Sequence, residues 1–293
     1  MQTVHTIGCS FTKWLYPTWA DYMSQHTDLE VINLAATGHG NDAIKQHLYT
    51  VDLSDHVFIM FSGYDIYIYG VDNKWLKENI FSDYQKNTKV KKSIDNDLYL
   101  YFCNKNPLSG FIAGRYIDGT KYSDFHYYIK MLENIYDCQN YLQLKKIDYT
   151  FCLWQGFYND LKEIKAIDQP KNNLETIEKN KLYRTIFDAI DWKKFVEPIT
   201  NGLWEHVSSD KILVEVQSPI DMHPSSLCHF SYFKKHIKPI LDQKTQCKNN
   251  LDELESKALK FSKYYKKYCS RFEGMPEFDY KIKQELMEKY HEH

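Results

Sequence analysis

A serine in the first residues of the chain and an aspartate-histidine pair far downstream are the residues best suited to chemistry. Ser10 lies in the run Gly8-Cys-Ser-Phe-Thr, directly after an apolar segment, and Asp221 and His223 lie in the run Asp-Met-His-Pro. A serine hydroxyl becomes a good nucleophile when a histidine takes its proton and a carboxylate orients that histidine. These residue types therefore predict a serine hydrolase with Ser10 as nucleophile, His223 as base and Asp221 as the orienting acid.

The elements that must position these residues alternate between strand and helix. Apolar or β-branched runs predict strands at 3–7, 30–35, 56–61 and 149–154. Helical periodicity predicts helices at 16–26, 41–49, 123–145 and 225–241, with Asn41 as the N-cap of the second. This βαβαβ pattern predicts a three-layer α/β/α fold of flavodoxin-like type, doubly wound around a mainly parallel sheet. Ser10 would then lie at the carboxyl edge of that sheet.

Two segments stand apart from this pattern. Residues 66–122, rich in Lys, Asn, Asp and Tyr, are predicted to be an insertion that either shapes substrate access or forms a surface excursion. Residues 251–268 carry apolar side chains at alternating spacings of three and four, which predicts a helix that docks on the chain's own body or joins a second copy. We therefore expect an α/β domain over residues 1–246 and a helical extension over 247–293.

Composition limits the possible functions. The 293 residues are 43% hydrophobic and 16% aromatic, enough for a large core, and the formal charge of −2 gives no reason to expect nucleic acid as a partner. No run approaches the roughly 20 apolar residues that span a bilayer, and the first residues lack the pattern of a secretory signal, so a cytoplasmic protein is expected. Seven cysteines without close pairs predict neither a disulfide framework nor a metal knuckle, and no cofactor is expected.

The order of the motifs resembles that of the SGNH (GDSL-type) hydrolase family. Gly8-Cys-Ser-Phe-Thr is similar to the first family block, with Cys9 where the usual motif has Asp, and the resemblance implies Ser10 as nucleophile and as one oxyanion donor. Asp221-Met-His-Pro is similar to the last block, with one residue rather than two between acid and base. This shorter spacing leaves open whether Asp221 or a backbone carbonyl orients His223.

Two further blocks would complete the oxyanion hole. Asn33-Leu-Ala-Ala-Thr-Gly is similar to the second block, whose glycine, here Gly38, supplies a backbone N–H. Ser62-Gly-Tyr-Asp is similar to the third block, but Tyr64 stands where the family has an asparagine. The missing amide donor could be replaced by the Tyr64 phenol or by Asn41.

The resemblance implies ester hydrolysis without a metal or organic cofactor. The family's substrates include acetylated carbohydrates and lipid esters, and the Tyr- and Asn-rich insertion favours removal of O-acetyl groups from a glycan. Two alternatives stay open. An SGNH-like protein without activity could bind glycans or act in a bacteriophage virion or its assembly, and an O-acyltransferase could use the same Ser10 with a sugar hydroxyl as acceptor.

Overall fold

The computed structural model describes residues 2–14, 16–36, 39–53, 55–63, 68–70, 98–101, 111–114, 124–156, 181–197, 201–218 and 223–270. Four parallel strands form its central sheet: β1 (Thr3–Ile7), β2 (Glu30–Asn33), β3 (His56–Phe61) and, after three further strands described below, β7 (Asp148–Leu153). Their order is β2-β1-β3-β7. Since β1 is flanked by the two strands that follow it, the chain winds outward in both directions from this strand.

Helices cover both faces of the sheet. Within the described residues, the helical elements are α1 (Trp19–His26), α2 (Asn41–Thr50), α3 (Asp124–Lys145), α4 (Lys181–Ala189), a 3₁₀ turn (Trp192–Lys194), α5 (Leu203–Ser208), α6 (Lys211–Glu215), α7 (Ser226–Tyr232), a π-helical turn (Phe233–Ile237), α8 (Lys238–Leu241) and α9 (Leu251–Cys269). Alternate residues of β3 join two cores: Val57 and Ile59 pack with α2, α3 and α4, whereas Phe58 and Met60 pack with α1, α5 to α7 and α9. The predicted doubly wound α/β fold is therefore confirmed.

The largest differences in element bounds have local causes. Helix α1 begins at Trp19 instead of residue 16 because Thr18 and Asp21 form a capping box after Pro17, with the Thr18 N–H 2.8 Å from the Asp21 carboxylate. Strand β2 ends at Asn33, whose side-chain oxygen accepts from the N–H of Ala35 at 3.1 Å and turns the chain. The predicted helix at 225–241 is interrupted by the π-helical turn.

The predicted insertion contains a small sheet of its own. Strands β4 (Ile68–Gly70), β5 (Leu98–Tyr101) and β6 (Phe111–Gly114) pair antiparallel in the order β4-β6-β5. Its role in substrate access stays a prediction.

Helix α9 packs on the α/β body through its apolar stripe. Leu254, Ala258, Phe261 and Tyr265 are buried, and the Ser262 hydroxyl accepts from the Leu227 N–H of α7 at 2.9 Å. The stripe predicted to dock or to self-associate is thus engaged within the chain. Among the described residues, none of the helices is both long and apolar enough to cross a membrane.

Gly202 precedes α5 at a place where only a hydrogen fits. A Cβ there would lie 2.7 Å from both the Leu153 carbonyl oxygen and the Gln155 nitrogen, which are backbone atoms at the end of β7. We expect Gly202→Ala to lower the free energy of unfolding by about 1–3 kcal/mol, because the backbone must move apart. Urea denaturation measures this loss, with the exposed neighbour Asn201→Ala as control. Equal stability of the two variants would contradict the steric argument.

Candidate active site

A tight turn at the carboxyl end of β1 carries Ser10. The carbonyl of Cys9 accepts hydrogen bonds from the N–H groups of Thr12 and Lys13, at 2.9 and 3.2 Å, so the chain folds back directly after the strand. Ser10 is 8% exposed. This turn lies between the ends of β2 and β3, where the connections leave the sheet in opposite directions, the usual place for a ligand crevice in doubly wound folds.

Gly8 makes this turn possible. A Cβ on Gly8 would strike the Thr12 side chain and would lie 3.1 Å from the carbonyl oxygen of Met60 in the adjacent strand β3. The residue therefore has to be glycine for reasons of space, and the serine two positions later is brought close to the sheet edge.

The loop after β2 is bound to the Ser10 turn. The Asn33 side chain donates to the Thr12 carbonyl at 2.9 Å, and the Ala36 N–H donates to the Gly8 carbonyl at 3.2 Å. Thr18 also donates to the Thr12 carbonyl, at 2.7 Å. These bonds fix the chain up to Ala36 beside the turn. Gly38 lies outside the described residues, so its role as an oxyanion donor stays a prediction.

Asn41 braces the end of β3. Its side-chain oxygen accepts from the Ser62 N–H at 2.8 Å, and its amide nitrogen donates to the Ser62 carbonyl at 3.1 Å and, at 3.5 Å, to that of Gly63. The prediction that Asn41 caps α2 is wrong, because Gly40 occupies the N-cap and the Asn41 side chain turns to Ser62 instead. An amide held in this way is a connector between loops. Tyr64, the other candidate donor, lies outside the described residues.

His223 packs directly against the Ser10 turn. Its ring stacks on Trp14 with centroids 3.6 Å apart and an interplanar angle of 21°, and its centroid lies 5.3 Å from that of Phe11. The Tyr16 hydroxyl donates to the Pro224 carbonyl at 2.8 Å and holds the backbone of this loop. The structure therefore brings the predicted base to Phe11 and Trp14, which follow the predicted nucleophile in the chain.

Asp221 lies outside the described residues, and whether it orients His223 stays a prediction. His229, six residues after His223, is fully buried in α7. Burial, with a smaller effect of His223, lowers the pKa of His229 to about 3.

An aromatic wall extends from His223 along the sheet edge. Phe11 stacks on Trp154 with centroids 4.3 Å apart, and Trp154 lies 5.7 Å from Trp204. We use "aromatic wall" for Phe11, Trp14, Trp154 and Trp204. The aromatic wall was not predicted from the sequence, although Trp154 at the end of a predicted strand was a signal for a side chain at the carboxyl edge.

Cys9, the neighbour of Ser10, is not a candidate nucleophile. Cys9 is 1% exposed, and burial raises the pKa of its thiol, so the weakly nucleophilic thiol form prevails at neutral pH. Cys9 therefore fits a packing role in the core. All six cysteines in the described part of the chain are free; Cys103 lies outside it.

A second histidine lies near the predicted oxyanion loop. Burial, reinforced by nearby His47, lowers the pKa of His39 to about 4, so the ring is neutral at pH 7. His39 directly follows Gly38 in the sequence, but it belongs to no recognisable motif and was therefore not predicted as a site residue.

No family model matches this chain, and no curated protein matches it. Its structure is similar to that of the psychrotrophic esterase EstA from Pseudoalteromonas sp., solved in a form inhibited by monoethylphosphonate. The likeness covers 83% of this chain and 100% of the other, with 11% sequence identity and a TM-score of 0.39. A likeness of this size carries no information about activity.

Proposed function

We propose that this protein is a serine ester hydrolase of SGNH type, with Ser10 as nucleophile and His223 as general base. The observation that carries the proposal is the packing of the His223 ring on Trp14 and Phe11, which joins the two segments singled out in the sequence at one edge of the sheet. A nucleophile and a base are useful only when they share a crevice, and these come from loops far apart in the chain.

In the proposed reaction, His223 takes the proton of the Ser10 hydroxyl as its oxygen attacks the ester carbonyl. The backbone N–H groups of Ser10 and Gly38 stabilise the oxyanion that forms. His223 then gives the proton to the leaving alcohol, and the acyl group stays on Ser10. Water, deprotonated by His223, releases the acid and restores the free hydroxyl.

The hydrogen bonds around the Ser10 turn and the end of β3 favour a preorganised site. The Ser10 turn is held by Asn33 and Thr18, and the end of β3 is held by Asn41. Donors that are fixed before the reaction stabilise developing charge without reorganisation. Because the Asn41 amide is used as a brace, we assign the oxyanion hole to backbone N–H groups, with the Tyr64 phenol as an additional donor.

Removal of an acetyl group from a carbohydrate is the proposed reaction class. The aromatic wall supports it, because the apolar faces of sugar rings pack on indole rings and the wall adjoins His223. The wall would equally serve a glycan-binding protein without catalysis, and an acyltransferase would use the same serine. These alternatives are separated by the experiments below.

Labelling with a fluorophosphonate probe tests the proposal. We expect the purified protein to be labelled and to hydrolyse p-nitrophenyl acetate, since an activated serine reacts with both, and we expect Ser10→Ala to do neither. Ser24→Ala, which removes an exposed serine of α1, is the control and should be labelled normally.

Absence of labelling in a folded wild-type protein would overturn the hydrolase and favour the glycan-binding role. If labelling occurs, mass analysis of products from an acetylated glycan with a second sugar present distinguishes release of acetate from acyl transfer.

A further inference from the structure

Three polar side chains from separate segments meet beside the edge strand β7. Phe195 extends the sheet by pairing with Phe151, and its neighbour Val196 donates its N–H to the Phe151 carbonyl at 3.0 Å. Glu197 follows this bridge, His206 lies on α5, and His236 lies in the π-helical turn. None of these three residues belongs to the candidate active site.

The ligand atoms of these residues converge. His236 Nε2 lies 2.8 Å from Glu197 Oε1 and 3.3 Å from His206 Nδ1, and one ligand atom of each residue lies within 4.8 Å of the others. Two ligands of a tetrahedral zinc ion, each about 2.0–2.1 Å from the metal, lie roughly 3.3 Å apart. The separations are therefore close to those of a metal's coordination sphere.

The buried carboxylate is incompletely paired. Glu197 is only 7% exposed, and its second oxygen, Oε2, has no hydrogen-bond partner among the described residues. A buried carboxylate oxygen without a donor is costly. The Nε2–H of His236 can donate to both Glu197 Oε1 and His206 Nδ1. This arrangement provides no hydrogen bond to Glu197 Oε2. A cation between the three residues satisfies the carboxylate and both imidazoles together.

A neighbouring serine orients one of the imidazoles. His206 Nε2 lies 3.0 Å from the Ser231 hydroxyl. When Nε2–H donates to Ser231, the lone pair of Nδ1 faces His236 and Glu197. Histidines that bind metals usually have their second ring nitrogen held in this way, which fixes the tautomer.

We propose that Glu197, His206 and His236 form a binding site for a divalent cation of the zinc type. Two imidazoles and one carboxylate are a common ligand set for Zn²⁺, with a water completing the coordination. The site would tie the edge of the sheet to α5 and to the π-helical turn. This proposal is independent of the proposed hydrolase.

Metal titration of the untagged full chain tests the site. After treatment with a chelator, we expect one equivalent of Zn²⁺ to bind in competition with a chromophoric chelator, and Co²⁺ to give the visible absorption of a tetrahedral site. Bound Zn²⁺ should also raise the melting temperature, because a ligand specific for the folded state stabilises it. We expect His236→Gln and Glu197→Gln to lose this equivalent, and Ser231→Ala to bind about 10- to 100-fold more weakly.

Cys247→Ser is the matched control. His26 of α1 forms another group of possible ligands with Asp242 and Cys247, which follow α8, and this variant removes the thiol while sparing the proposed site. Its affinity for Zn²⁺ should equal that of the wild type. The proposal is overturned if the folded wild type binds no metal, if His236→Gln keeps full affinity, or if only Cys247→Ser loses it. If His236→Gln fails to fold, the affinity of Ser231→Ala for Zn²⁺ still tests the proposal: wild-type affinity in this variant would overturn it.

Discussion

Replacing His223 by alanine should lower kcat/KM for p-nitrophenyl acetate by about 10³- to 10⁴-fold without unfolding the protein. Transfer of a proton by a positioned base contributes about this much to the rate, and Ser10 without a base is a poor nucleophile at neutral pH. The ring stacks on the Trp14 indole and packs beside the Phe11 ring, so its removal leaves a space of imidazole size next to these side chains. We therefore expect added imidazole to restore part of the activity.

The control for this variant is His229→Leu, which removes the neighbouring histidine in α7. His229 is fully buried and neutral, so its loss should leave kcat/KM within a few-fold of the wild type. Circular dichroism and urea denaturation check that both variants fold. Full activity of His223→Ala, or loss only in His229→Leu, would contradict the assignment of the base.

Acidification from pH 7.5 to 5.5 should destabilise the protein by several kcal/mol. Burial lowers the pKa of His39 and of His229, to about 4 and about 3, and burial with a contribution from nearby Lys244 lowers that of His56 to about 4. In the unfolded chain each returns to 6.5. Between pH 6.5 and about 4 the unfolded state therefore binds more protons than the folded state. Stability is fully present above pH 6.5 and falls on acidification, approaching about 1.4 kcal/mol per pH unit for each histidine.

Urea denaturation at pH 8.5, 7.5, 6.5 and 5.5 measures this dependence. The free energy of unfolding should change little between pH 8.5 and 7.5 and fall steeply below 6.5. His229→Leu should make the fall shallower by up to about 1.4 kcal/mol per pH unit, since one histidine with a lowered pKa is gone. Neither nitrogen of His229 has a hydrogen-bond partner within the described part of the chain, so the variant should not be less stable at pH 7.5. An unchanged slope would show that the acid sensitivity lies elsewhere.

The central sheet was predictable because each of its strands has a recognisable pattern of apolar or β-branched residues in the local sequence. The run at 56–61 is apolar after His56 and is buried on both faces, and β1 and β7 match the predicted strands to within one residue at each end. Periodicity likewise located α3 and α9 to within one residue at each end. Local patterns could not show the π-helical turn, since it is determined by packing against neighbouring elements.

The candidate site was only partly predictable. Ser10 and His223 could be proposed because the reaction requires these residue types and because each stands in a short motif that resembles a family block. The stacking of Trp14 on His223 and the hydrogen bond of Asn41 to Ser62 depend on which loops become neighbours after folding. The spacing of residues in the sequence does not show this. The grouping of Glu197 with two distant histidines was missed for the same reason, because it lacks the close ligand spacing of a metal knuckle.

The hydrogen bond between Tyr16 and Pro224 also has a consequence for biosynthesis. It joins residues 208 positions apart, and the rings of Phe261 and Tyr265 from α9 pack on the same tyrosine. Contacts of such separation form late, because a long loop must close before they can contribute. During translation, the turn that carries Ser10 is synthesised long before the loop that carries His223 and before α9. The nascent chain therefore cannot bring the Ser10 turn and the His223 loop together until most of it has been synthesised.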